Sequence, residues 1–87
     1  MQYVYILQSK KDNCLYVGCT KDIKERLKLH NSGQVESTKN RRPLEVIHYE
    51  AFVEPEDAFA REHCLKTGWG RNHIKKILNN YLKKLGG

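Results

Sequence analysis

Residues 2–19 read QYVYILQSKKDNCLYVGC, two apolar runs separated by a short polar stretch. Tyr3, Val4, Tyr5, Ile6 and Leu7 in the first run have the aromatic, β-branched and aliphatic character of a buried strand. Ser9-Lys10-Lys11-Asp12-Asn13 is turn chemistry, and residues 14–19 are apolar again. Two such runs joined by a short polar loop predict an antiparallel hairpin. A loop over Ser9 to Asp12 sets Tyr5 opposite Tyr16, with Gly18 clearing space on the same face. Two readings of the tyrosines stand open: a cross-strand aromatic pair serving the core, or two phenols presented together for chemistry.

Outward from the hairpin, Thr20 or Asp22 caps a helix running to about Asn31. Glu25 stands three residues after Asp22, as in a capping box, and Gly33 is the natural stop. Residues 34–43 (QVESTKNRRP) read as a polar, basic loop and residues 44–53 (LEVIHYEAFV) as a third strand. Glu54-Pro55-Glu56-Asp57 opens a second helix, its acids complementing the positive helix end. Gly68-Trp69-Gly70 reads as a break, with Trp69 as a packing anchor or else a surface on which an unpaired base stacks. Ile74, Ile77, Leu78, Tyr81, Leu82 and Leu85 then form the amphipathic stripe of a helix over 71–85. The order β-β-α-β-α-α predicts an α/β (α+β) domain built on a small antiparallel sheet.

Eighty-seven residues make room for one modest core. No apolar run is long enough to span a membrane, and the first residues lack the order of a signal peptide. Three cysteines, an odd number, do not suggest a secreted disulfide framework, so a cytoplasmic setting is expected. Cys14 and Cys19, taken on one strand, point to opposite faces, and no zinc spacing is present. The net charge of +6 is unevenly placed. Residues 1–43 hold nine Lys/Arg against four acids, residues 44–65 one against six, and residues 66–87 six against none. Two basic segments flanking an acidic one are a nucleic-acid footprint if they converge in space.

Three polar placements go beyond folding. Arg26 and His30 share one helix face, flanking the stripe of Ile23 and Leu27. An arginine can hold a phosphate oxygen, and a histidine can move a proton near neutral pH. Glu62 falls inside the stripe formed by Ala58, Phe59 and Leu65, where a carboxylate is costly unless paired or metal-bound. It is either a ligand for Mg²⁺ or half of an ion pair with Arg26 or Arg61. A phenol, a guanidinium and one carboxylate are the parts that phosphodiester hydrolysis needs.

The same residues carry a resemblance. Val4-Tyr5, then Tyr16-Val17-Gly18, then Arg26, His30 and a later helical Glu62 resemble the GIY-YIG nuclease superfamily, and the stretch YVGCTKDIKERLKLHNSG (Tyr16 to Gly33) is its most specific part. The likeness covers nearly the whole chain as a single domain. It is closest to small stand-alone members related to the N-terminal nuclease domain of the excinuclease C subunit. It implies a three-stranded antiparallel sheet flanked by three helices. It also implies a DNA endonuclease using one divalent ion, Mg²⁺ or Mn²⁺, structure-selective and linked to repair or recombination. The alternative is a nucleic-acid-binding module of the same fold that no longer cuts. Tyr5, Tyr16, Arg26, His30 and Glu62 correspond to the catalytic set, Gly18 to the motif glycine and Glu62 to the metal ligand. The resemblance implies that a tyrosine of these motifs activates water or acts as the base. Tyr3 stands where the family name has glycine. The asparagine often found beyond the glutamate has Asn72, Asn79 and Asn80 as candidates. Lys39, Arg41 and Arg42 in the loop and Lys75 and Lys76 in the last helix would contact the backbone of DNA (RNA is an open second substrate) without reading sequence. Targeting would then come from DNA shape, dimerisation or a protein partner. His48 and His73 are read as residues without chemistry.

Overall fold

The computed structural model describes residues 1–85. The central strand β1 (Gln2–Ser9) pairs antiparallel on one side with β2 (Leu15–Thr20) and on the other with β3 (Leu44–Phe52), giving the order β2-β1-β3. Helix α1 (Ile23–Asn31) follows β2, and α2 (Pro55–Leu65), α3 (Gly68–Ile77) and α4 (Asn79–Leu85) follow β3. The near-continuous apolar run of β1 is explained by burial on both faces. Val4 and Ile6 pack with Ala58, Leu65 and Ile74, while Tyr5 and Leu7 pack with Leu44, Leu27 and Val46.

The hairpin register differs from the expected one. Tyr5 faces Gly18, and Tyr16 faces Leu7. The loop is longer because the Ser9 hydroxyl accepts from Lys11 N (3.1 Å) and Asp12 N (3.3 Å), and Asn13 adopts φ = 62°. A shift of two residues preserves the strand alternation, so both tyrosines remain on one face as diagonal neighbours.

The first helix starts as the capping box predicts, with Asp22 Oδ1 accepting from Glu25 N at 3.0 Å. It is followed by Gly33 at φ = 84°. At the helix end, Asn31 donates to Leu44 O (3.0 Å) and accepts from Leu44 N (2.7 Å), which fastens α1 to the start of β3.

The C-terminal part departs from the sequence expectation. There is no break at Gly68-Trp69-Gly70: these residues form the first turn of α3, capped by Thr67 Oγ1 accepting from Gly70 N at 3.1 Å. The interruption comes at Leu78, which leaves helical geometry (φ −112°, ψ 23°), so there are four helices among the described residues rather than three. A stripe that continues on both sides of a bend does not reveal it. Beyond the bend the Tyr81 hydroxyl donates to the side chain of buried Gln8, while Ile77 before it and Leu85 after it remain exposed. Phe59 and Trp69 also lie outside the core; Trp69 is 59% exposed and stacks on His73, with ring centroids 4.9 Å apart. The inward line of α2 is Ala58, Arg61, Glu62 and Leu65, with the two charged residues half-buried.

Gly70 permits the tight turn from α2 into α3. A Cβ there would stand 2.3 Å from Cys64 O and 2.4 Å from Leu65 Cα. Gly70→Ala is therefore expected to destabilise the fold by roughly 1–3 kcal/mol, read as a lowered urea midpoint. An unchanged midpoint would contradict the close approach.

Candidate active site

The hydroxyl of Tyr5 is the meeting point of β1 and α1. His30 Nε2 lies 3.2 Å from it, and Arg26 Nε donates to it over a longer 3.4 Å. The i, i+4 spacing of Arg26 and His30 places both over the phenol. His30 is 4% exposed, and its ring stands edge-on to Tyr5. Burial first, and the Arg26 charge second, push its pKa below the ordinary 6.5. It is therefore neutral near pH 7, with one nitrogen donating and the other accepting.

The other ring nitrogen, Nδ1, lies 2.7 Å from the hydroxyl of Thr38, which is fully buried. One tautomer keeps every proton inside the chain. Arg26 Nε–H donates to the Tyr5 oxygen, the Tyr5 hydroxyl donates to Nε2, and Nδ1–H donates to Thr38 Oγ1. Thr38 was hidden within a stretch that reads as a polar basic loop, and no local signal marks it.

Gly18 makes this arrangement sterically possible. A Cβ at that position would fall 2.4 Å from Cζ and Oη of Tyr5. Tyr5, Tyr16, Gly18, Arg26, His30 and Glu62 all line one cleft of ≈ 220 Å³ around the edge strand β2. Arg26 and His30 approach from α1, and Glu62 from α2. Lys66, which sequence reasoning missed, also lines the cleft and donates to Glu62 Oε2 at 3.0 Å, one helical turn away. Neither Arg26 nor Arg61 is the partner of Glu62. Arg61 instead holds Glu50 through two hydrogen bonds of 2.9 and 3.0 Å, with His48 on the same carboxylate and His73 on the guanidinium.

The remaining cations are placed less directly. Lys39 pairs with Glu36 (3.1 Å), Arg41 with Asp12 (2.7 Å), and Arg42 donates to Lys39 O (2.9 Å). Lys75 and Lys76 are exposed in the last turn of α3 and enter no ion pair among the described residues. Asn72, Asn79 and Asn80 are exposed and do not line the cleft. Cys14 precedes β2 rather than lying on it, and the three cysteines are free thiols. Among the described residues no group of three His, Cys, Asp or Glu side chains is arranged for a metal ion, and Glu62 is the one carboxylate among the residues lining the cleft.

The family model for the GIY-YIG catalytic domain matches residues 1–82. The chain belongs to this family. The GIY-YIG chain is 40% identical over 76 residues to a UPF0213 protein of Staphylococcus saprophyticus, covering 86% of this chain and 92% of that relative. It is 39% identical over 85 residues to a UPF0213 protein of Clostridium perfringens, covering 97% and 90%. The solution NMR structure of a UPF0213 protein from Bacillus halodurans superposes with a TM-score of 0.55 at 32% identity, over 88% of this chain and 85% of that one. The GIY-YIG assignment places the chain in a nuclease superfamily, and its fold is the antiparallel α+β architecture expected from the sequence.

His30 should titrate below 6.5 by NMR, and Arg26→Gln should move it upward by removing the neighbouring positive charge. Because the folded-state pKa is lowered, the unfolded chain binds the proton more readily. The stability contributed by neutral His30 is complete above about pH 6.5 and is lost as pH falls through the folded value. A His30 that titrates above 6.5 would contradict this environment.

Proposed function

We propose that this GIY-YIG domain is a divalent-metal-dependent DNA endonuclease, and the observation that carries the reading is the phenol of Tyr5 held between Arg26 and a neutral, buried His30. In this reading a water molecule in the cleft gives its proton to the Tyr5 oxygen as the phenolic proton passes to His30 Nε2. Thr38 fixes the opposite ring nitrogen and so holds Nε2 toward Tyr5. The water oxygen bonds to phosphorus, the phosphorus bond to the leaving oxygen breaks, and the guanidinium of Arg26 balances charge gathering on the phosphoryl oxygens. Tyr16 flanks the entering strand from the same cleft wall.

The donor set suits Mg²⁺ or Mn²⁺, because a hard ion of this kind commonly takes one or two carboxylates and keeps several waters. Glu62 would hold it, exchanging its bond to Lys66 for the ion. The group would supply Lewis-acid stabilisation of the leaving oxygen. The Glu62–Lys66 ion pair also favours a second reading, a binding module of the same fold in which lysine has taken the place of the metal. A role in repair or recombination would follow if branched or nicked DNA is cut preferentially.

The expected result is cleavage of nicked, flapped or forked DNA that requires Mg²⁺ or Mn²⁺. Arg26→Ala should lower the rate about 10²–10³-fold, the scale of losing one charge-stabilising donor. Glu62→Gln should abolish the metal response. Salt-sensitive binding without cleavage under any metal would establish the second reading.

A further inference from the structure

A second hollow lies at the start of α1 and shares no lining residue with the cleft. Tyr3 on β1 and Tyr49 on β3 meet edge-to-face, with ring centroids 6.2 Å apart at 65°. They line a cavity of ≈ 470 Å³ together with Lys21, Asp22, Ile23 and Lys24 at the start of α1. Tyr49 is 59% exposed, so a large aromatic surface is left uncovered. The Asp22 carboxylate is engaged in capping α1, whereas Lys21 and Lys24 are exposed and enter no ion pair among the described residues. An aromatic wall with two uncommitted ammonium groups at its rim suits a flat, apolar group carried on an anionic backbone.

The position relative to the cleft narrows the ligand further. Tyr3 precedes Tyr5 by two residues on the same strand, so it points to the same face about 6–7 Å farther along. Ile23 precedes Arg26 by three residues and shares its side of α1. A polynucleotide whose phosphate lies at Arg26 would bring a neighbouring nucleotide over Tyr3 and Tyr49.

We propose that the Tyr3–Tyr49 hollow is a nucleobase subsite that stacks an unpaired base of the DNA strand, with Lys21 and Lys24 on its phosphate. A base inside a duplex has no free face to offer, so the subsite selects DNA that is single-stranded beside the phosphate held at Arg26. This rests on the nuclease reading for its place in a reaction, although the subsite itself is a binding property. The tyrosine at position 3 supplies half of the aromatic wall, which a glycine there would lack.

The test uses the intact chain in EDTA, so binding is read without cleavage. Single-stranded oligonucleotides bearing 2-aminopurine report stacking by quenching, and anisotropy reports affinity. Wild type is expected to quench the probe and to prefer the single strand to blunt duplex. Tyr49→Ala should remove the quench and weaken single-strand binding about tenfold, while Tyr49→Phe should retain both. Lys21→Gln combined with Lys24→Gln should lower affinity and flatten its salt dependence. Tyr49 is exposed, and unchanged circular dichroism would show that its variants fold. Unaltered quenching and affinity in Tyr49→Ala would overturn the subsite, as would a loss of quenching in Trp69→Ala in its place. Stacking in EDTA with no cleavage in Mg²⁺ or Mn²⁺ would uphold the subsite and remove the nuclease reading. Cleavage by a Tyr49→Ala protein that still quenches like wild type would do the reverse.

Discussion

The ring of Tyr5 occupies the space that a side chain at position 18 would fill. A Cβ on Gly18 would lie 2.4 Å from Tyr5 Cζ. With that space open, the phenol can lie across β2 and extend its hydroxyl toward α1, where Arg26 and His30 meet it. Because Tyr5 also packs with Leu7 and Leu44, the site's central group is part of the core and inherits its rigidity. His30 extends the same chain to Thr38 in the loop before β3. Strand, helix and loop are thus positioned through one buried hydroxyl, and a change at any of these residues is felt by the others.

The electrostatic pattern gains a structural meaning. Three of the six acids of the middle segment are paired with cations: Glu45 with Lys10, Glu50 with Arg61 and Glu62 with Lys66. Burial raises the Glu50 carboxyl, but its hydrogen bonds to Arg61 and His48 outweigh this and hold it below the usual carboxylate range. The basic loop is partly committed as well, since Lys39 and Arg41 pair with acids and Arg42 with a backbone carbonyl. Lysines at the ends of α1 and α3 are therefore more available to an anionic partner than the loop that first attracts attention in the sequence.

Local signals fail in two places, once through ion pairing and once through capping. Helix α2 appears from its pattern to bury Phe59, yet Phe59 is 52% exposed, while the charged pair Arg61 and Glu62 turns inward. A pattern of hydrophobicity cannot register that each charge finds its partner, Glu50 and Lys66 respectively. Trp69, flanked by glycines, reads as an anchor, but Thr67 caps a helix that begins there and leaves the indole on His73 at the surface. Side-chain capping competes with glycine as a boundary signal, and here the cap prevails.

The sequence by itself determined the strands, the first helix with its Asp22 cap, and the tyrosine, arginine, histidine and glutamate worth watching. Each of these is written in local alternation, capping chemistry or short spacing, which operate between near neighbours in the chain. Tertiary structure alone decided the hairpin register, the bend at Leu78, the seat of His30 on Thr38 and the gathering of Tyr5, Arg26, His30 and Glu62 in one cleft. Register depends on how Ser9 and Asn13 close the loop, and the pKa of His30 depends on what surrounds it. The cleft itself exists only once α1 and α2 approach the β2 edge from opposite faces of the sheet. Such relations are set by loop closure and packing in three dimensions, which alternation, capping and spacing along the chain do not encode.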